Sequence, residues 1–277
     1  MRSRMHAAAT LATALAVSAC GGVSPSGFAY VMPSPATATY ETTDTTHMDI
    51  DTGGESMQAT VAAASRMGAR FQRATDGLRV TLSVDDYDAR MVGPMGPSVA
   101  ADESQISGPL VLTLDRRGGV TVVAEPQVEG PARQYFGALS LAHTFFPRLP
   151  GRVEDVGAAW TDTIRYEGKQ GDGDVSSESV LTYTVVGDTV VGGRSVARID
   201  VRGVVEGHAS GIIGGMDYGQ DVHGTMSGWV LWDQRRGLMV ESVTDTDGQG
   251  SMQVSAAPFP LGISMRQQVT IRLKTEM

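Results

Sequence analysis

Alternation of apolar and polar residues governs most of this chain. In LRVTLSVD, Leu78, Val80, Leu82 and Val84 fall on one side while Arg79, Thr81, Ser83 and Asp85 fall on the other. The same two-residue period returns at Ala197, Ile199 and Val201 against Arg198, Asp200 and Arg202, and at Val269, Ile271 and Leu273 against Thr270, Arg272 and Lys274. Side chains of a strand point alternately to its two faces, so the pattern predicts half-buried antiparallel strands. Turn residues stand between the runs. Asp76-Gly77 separates a stretch at about 57–73 from the 78–85 strand, Arg117-Gly118-Gly119 separates 109–115 from 120–124, and Gly192-Gly193 joins 180–191 to 195–205. Sequence neighbours paired in space then form a meander.

One segment departs from this period. EGPARQYFGALSLAHTFFPRLP places Pro131 as a first-turn residue and then Tyr135, Phe136, Leu139, Ala142, His143 and Phe146 at three- and four-residue spacing, closed by Pro147 and Pro150. The spacing predicts a helix of about 15 residues, apolar almost all round, which must be covered on most of its surface. In an otherwise all-β chain such a helix lies against the inner face of a curved sheet, with Phe136, Leu139 and Phe146 meeting strand residues such as Leu82 and Leu112. A strand-turn-strand phrase also occurs twice, once on each side of this segment: SGPLVLTLDRRGGVTVV from Ser107 and SGWVLWDQRRGLMVES from Ser227. Two half-sheets of similar plan predict one strongly bent antiparallel sheet.

The amino terminus is of another kind. Arg2 and Arg4 precede an uncharged Ala/Leu/Thr/Val run from Ala7 to Ala19, the layout of an export signal and too short to anchor as a membrane span. Val17-Ser18-Ala19-Cys20 resembles the lipobox of bacterial lipoproteins, in which the cysteine thiol takes a diacylglycerol. Cys20 is the only cysteine, so it forms no internal disulfide. The resemblance implies a lipid-anchored protein of the cell envelope on the periplasmic side, and Gly21 after the acylated residue implies the outer membrane. The expected organisation is a signal peptide at 1–19, a Gly/Ser/Pro-rich flexible linker at 20–36, and a single domain at 37–277.

The formal net charge is −9, and removal of residues 1–19 takes two arginines and no acid, leaving −11. An acidic body is a poor partner for phosphate backbones or for an anionic lipid surface, which argues against nucleic acid. Catalytic and cofactor motifs are not evident. Ser210 stands in G-x-x-S-G order, without the nucleophile elbow. Asp85, Asp86 and Asp88 read as a solvated turn, and GIIGG at 211–215 opens no helix. No enzyme activity and no cofactor are expected. His208, Asp221 and His223, with Met216 and Asp217 between them, form the one metal-like group; their spacing is neither helical nor tight, so exposed histidines are expected there. Methionine is frequent, 14 in all, with Met57, Met67, Met226, Met239, Met252 and Met265 at strand positions, which suits an adaptable cavity or an ordinary core. Trp229 and Trp232 differ by three, so alternation puts them on opposite faces.

A lipobox, a linker, long alternating strands and an apolar helix before a second run of strands resemble the half-barrel family of lipoprotein-localisation carriers (LolA and LolB type) and mycobacterial lipoproteins of that fold. The resemblance implies a mainly β fold, a strongly curved antiparallel sheet with one or few helices packed in its concave face, enclosing an apolar groove for acyl chains. Leu82, Leu112, Phe136, Leu139, Phe146 and Trp229 are then the candidate lining residues, and a lipid or lipoprotein is the expected ligand. The alternative is a structural or protein-interaction lipoprotein whose core is filled by its own side chains. An open apolar pocket beneath the 131–146 helix separates the two, since ligand sites usually run to about 300–1,000 Å3.

Overall fold

A computed structural model of the 277-residue chain describes residues 27–93, 100–170, 173–213, 216–255 and 259–276. The strands are β1 (Thr37–Asp51), β2 (Ser56–Ala74), β3 (Gly77–Val92), β4 (Ala100–Asp102), β5 (Ile106–Ser107), β6 (Leu110–Leu114), β7 (Val120–Ala124) and β8 (Gln127–Val128). Two short helices follow, α1 (Ala132–Tyr135) and α2 (Ala138–Thr144). The chain ends with β9 (Ala159–Gln170), β10 (Gly173–Val191), β11 (Arg194–Ile213), β12 (Met216–Asp233), β13 (Leu238–Val254) and β14 (Leu261–Glu276).

Eleven strands form one antiparallel sheet in the order β7-β6-β3-β2-β1-β14-β13-β12-β11-β10-β9, with β4 added beside β3. The sheet curls 275° around an axis and stays open between β7 and β9. This is the expected half-barrel. Most neighbouring strands are consecutive in sequence; the exceptions are β3 with β6, where Val80 stands opposite Leu112, and the centre, where β1 pairs with β14 and Ala38 stands opposite Glu276. The predicted turns at Asp76-Gly77, 116–119 and Gly192-Gly193 join β2 to β3, β6 to β7 and β10 to β11.

Glycine permits the tight curl. At Gly228 an added Cβ would lie 2.1 Å from the Val243 carbonyl oxygen, and at Gly250 it would lie 1.8 Å from that of Asp221. The neighbouring backbones approach more closely there than any side chain allows. Sheet bending is therefore written into β12 and β13 by residue type.

Alternation sorts the two faces. Tyr40, Met67, Val80, Leu82, Tyr183, Ile199 and Val230 point inward and are buried. Outward lie charged residues, paired as Arg165–Glu178 at 2.7 Å, Lys274–Glu41 at 2.9 Å, Arg266–Asp247 at 3.2 Å and Arg66–Asp86 at 3.6 Å. Exposed pairs of this kind add little to stability in water, whereas charges on a lipid-facing surface are costly at mid-membrane. The outward face thus suits water, the reverse of a barrel that shows lipid an apolar band. No helix among the described residues is long and apolar enough to cross a membrane.

Two expectations need correction. The helix is broken: Phe136 is extended (φ −93°, ψ 98°) and Gly137 follows it with φ −88° and ψ 85°, so α1 and α2 are separate short turns. Glycine is a poor helix former, and Phe136 leaves the helical path to set its ring edge-on to Tyr87, with centroids 5.5 Å apart. The second correction concerns the linker. Phe28, Ala29 and Tyr30 are 1%, 0% and 4% exposed. Phe28 bridges to Arg152, and the Tyr30 amide donates to the Arg116 carbonyl at 2.9 Å. Residues 27–36 are a strap folded across one end of the half-barrel, and the domain begins ten residues before the expected boundary.

Candidate functional site

The concave face has two zones. Beside the strap, α2 fills the opening against β9, where His143 stacks on Tyr166 with centroids 5.4 Å apart and the Tyr166 hydroxyl donates to Ser140 Oγ at 3.2 Å. Burial and then the nearby Arg148 lower the pKa of His143, so this ring is neutral at neutral pH.

Beneath α2 the predicted lining residues do come together, in a solid core. Leu82, Leu112, Phe136 and Phe146 are 1%, 0%, 6% and 2% exposed. Aromatic rings occupy the space: Phe146 meets Phe145 at 4.8 Å, Tyr30 at 5.9 Å and Phe71 at 6.2 Å, and Phe145 meets Tyr40 at 5.3 Å. Edge-on pairs of this geometry add to the area they bury. As packed, these four residues offer a ligand no surface. Leu139 is half-buried and rests over Gly168 of β9. Trp229 lies on the convex face, where the Arg198 guanidinium sits 5.8 Å above its ring beside Val196, Leu231 and Val240. The concave tryptophan is Trp232, fully buried, so of the two opposed indoles the sequence reading chose the wrong one. A β-bulge between Leu231 and Trp232 marks the place.

Farther along the barrel a polar layer crosses the concave face. Asp44 accepts from Gln267 Nε2 at 2.8 Å and from Thr46 Oγ1 at 3.3 Å, and Thr42 and Ser65 share a hydrogen bond at 2.6 Å. Burial raises the Asp44 pKa above the ordinary carboxylate range. The Tyr87 and Tyr135 hydroxyls are buried without a partner among the described residues. Burial raises the Tyr87 pKa, and the Asp44 charge adds to that shift. Val269, opposite Asp44, and Met226 are partly buried at this layer against the main core, and beyond it a second cluster of Ile50, Met252, Val254 and Ile263 receives Met57, Val222 and Leu261. Sequence reading missed this layer, because Thr, Ser and Asp at inward strand positions look like outward ones.

The histidine group lies on the convex face. His208 stands opposite Asp221, with Nδ1 and Oδ1 2.9 Å apart, and Glu206 stands opposite His223. They border two depressions of about 940 and 540 Å3, which share Asp221 and His223. Both side chains of the His208–Asp221 pair are largely in solvent, 49% and 77% exposed. Among the described residues no three or more His, Cys, Asp or Glu side chains are placed to hold a metal ion, so the metal alternative at His208, Asp221 and His223 is not met. The acidic trio Asp85, Asp86 and Asp88 lies within β3 rather than at a strand end, and Asp86 pairs with Arg66. Cys20 and the signal-like segment lie outside the described residues.

No protein-family model matches the chain, and no curated protein is significantly similar to it. Solved structures with a similar course are outer-membrane proteins of low identity. Neisserial surface protein A is 10% identical at a TM-score of 0.25, covering 85% of this chain and 98% of its own. An outer-membrane channel from Pseudomonas putida F1 is 10% identical at a TM-score of 0.29, covering 91% and 100%. Pseudomonas aeruginosa OccK2, solved with glucuronate, is 8% identical at 0.28, covering 90% and 100%. Likeness at this level carries no inference about what this chain does.

Proposed function

We propose that the protein is a non-catalytic lipoprotein of the cell envelope, held by an acylated Cys20, whose half-barrel is a structural or protein-interaction body with a filled core. The observation that carries this reading is the ring packing around Phe146, which occupies the space where an acyl chain would lie beneath α2. Anchorage is supported by the lipobox-like Val17-Ser18-Ala19-Cys20, and the charged convex face suits a body that stands in water on its tether.

A second reading keeps the apolar ligand and moves it. The distal concave face beyond Asp44 carries an apolar cluster around Ile50 and Ile263 that is incompletely buried at Met57, Val222 and Leu261, which leaves side-chain surface that the helix end does not. Native mass spectrometry of the acylated protein, extracted from membranes, distinguishes the two. The filled-core reading expects only the covalent acyl mass; an additional lipid that co-purifies, and that Val222→Trp displaces, favours the second. For anchorage, Cys20→Ser should end palmitate labelling and membrane fractionation, and unchanged labelling would remove the lipoprotein reading.

A further inference from the structure

The two Arg-Arg-Gly phrases are built alike and lie at the same end of the half-barrel. In the first, Asp115 Oδ1 accepts from the amides of Arg117 and Gly119, both at 2.7 Å. In the second, Asp233 Oδ1 accepts from the amides of Arg235 and Arg236, both at 3.0 Å. Each aspartate turns inward onto its own turn, and the chain then reverses through a glycine with positive φ, +85° at Gly118 and +67° at Gly237. The Arg116 and Arg235 side chains are exposed, with no acidic partner among the described residues.

The strap runs between these turns. Tyr30 bonds to Arg116, and Val31 lies against Gly237. Its first described residue, Gly27, touches Val153, which is 71% exposed. Val156 and Val190, also at this end, are 69% and 70% exposed.

Chain length then fixes orientation. From Cys20 to Gly27 is seven residues, a reach of about 25 Å when fully extended. The 20 residues of β11 span roughly 65 Å along the strand. A lipid at Cys20 therefore holds the strap end near the bilayer and leaves the carboxyl end of β11, at Ile212, far from it. We propose that this end docks on the phospholipid headgroups of the membrane that holds Cys20, with Arg116 and Arg235 on lipid phosphates and Val153, Val156 and Val190 at the headgroup boundary. Although the body as a whole is acidic, this end sets two arginines without acidic partners among the described residues toward phosphate, beside small apolar tips, which suits the interface and not the hydrocarbon. The inference rests on the acylation proposed above.

The test uses the full acylated chain in vesicles of phosphatidylethanolamine and phosphatidylglycerol that carry a nitroxide on the headgroup. Val190→Cys and Ile212→Cys each receive a fluorophore; Ile212 is 60% exposed near the opposite end. The expected result is severalfold stronger quenching at position 190 than at 212, reduced by half or more when Arg116→Glu and Arg235→Glu are combined. Equal or reversed quenching overturns the orientation. Strong quenching at 190 that ignores the charge reversal overturns headgroup docking, because the tether alone then explains the approach. Flotation of the same samples separates the premises: protein that does not float with vesicles has no lipid anchor, and the orientation falls with it.

Discussion

The Trp232 indole donates its Nε1–H to the Gly27 carbonyl at 3.1 Å, joining residues 205 positions apart in sequence. Phe28, next to Gly27, tilts against Trp160, with centroids 6.2 Å apart, and Trp160 stacks on Tyr183 at 5.4 Å. The strap is therefore part of the core. Phe28→Ala should cost about 3–5 kcal/mol of unfolding free energy. Urea denaturation followed by tryptophan fluorescence measures it, and a loss below about 0.5 kcal/mol, within the range of ordinary surface changes, would mean the strap only rests on the surface.

The curl of the sheet gives a paired comparison. Gly228→Ala brings a methyl group against the Val243 carbonyl, whereas a Cβ at Gly219, on the same strand, meets nothing within 4 Å. Gly228→Ala should lower stability by about 1–3 kcal/mol, the usual range for overpacking, while Gly219→Ala should change it little. Equal melting temperatures for the two variants would contradict the glycine account of the bend.

Asp44 sets a pH dependence with a definite sign. Its folded pKa is raised, so the native state keeps this proton to higher pH than the unfolded chain. Its contribution to stability falls as pH rises from the unfolded carboxylate value of ~3.9 through the higher folded value, and is level above that. Asp44→Asn keeps an acceptor for Gln267 and removes the buried charge. The variant should be as stable as the parent or more so at neutral pH, and the difference should shrink toward pH 4. Chemical denaturation between pH 3.5 and 7 measures this, and a variant weaker by the same amount at every pH would show that the hydrogen bonds outweigh the charge.

At α2 two substitutions should part company. Phe146→Ala removes a ring packed on three others and should cost about 3–5 kcal/mol. Leu139→Asp sits at a half-buried position over Gly168, where the carboxylate can turn toward water, and should cost well under the several kcal/mol of a fully buried charge. If Leu139→Asp unfolds the domain while Phe146→Ala does not, the assignment of core and rim at this helix is reversed.

Strand existence and turn placement were legible because a two-residue period survives in any sheet with one wet face, as at Leu78 to Asp85. The strap was not, because Pro and Ser around Phe28 and Tyr30 have the composition of a linker, and only tertiary contact with Trp232 and Arg116 orders it. Opposite faces for Trp229 and Trp232 followed from spacing, but which face was inner depended on strands distant in sequence. The single long helix failed at Phe136, whose ring is drawn to Tyr87 against local periodicity. Asp44 and its neighbours looked like outward polar residues, and the curled sheet turns them inward. The candidate site thus emerged only where local pattern and global closure disagreed.

The central ladder of the sheet joins nearly the first strand residue to the last, Ala38 with Glu276. Such a seam cannot zip while the chain is still being delivered from its amino end. Hairpins from β9 to β14 can form as they appear, but the first three strands must wait for the final sixteen residues before they join the later ones. Contacts of such long sequence separation slow folding. Under the proposed export of the chain, this delay would keep it threadable until translocation is complete; in any setting it leaves β1 and β14 as the strand edges most open to mispairing in the interval.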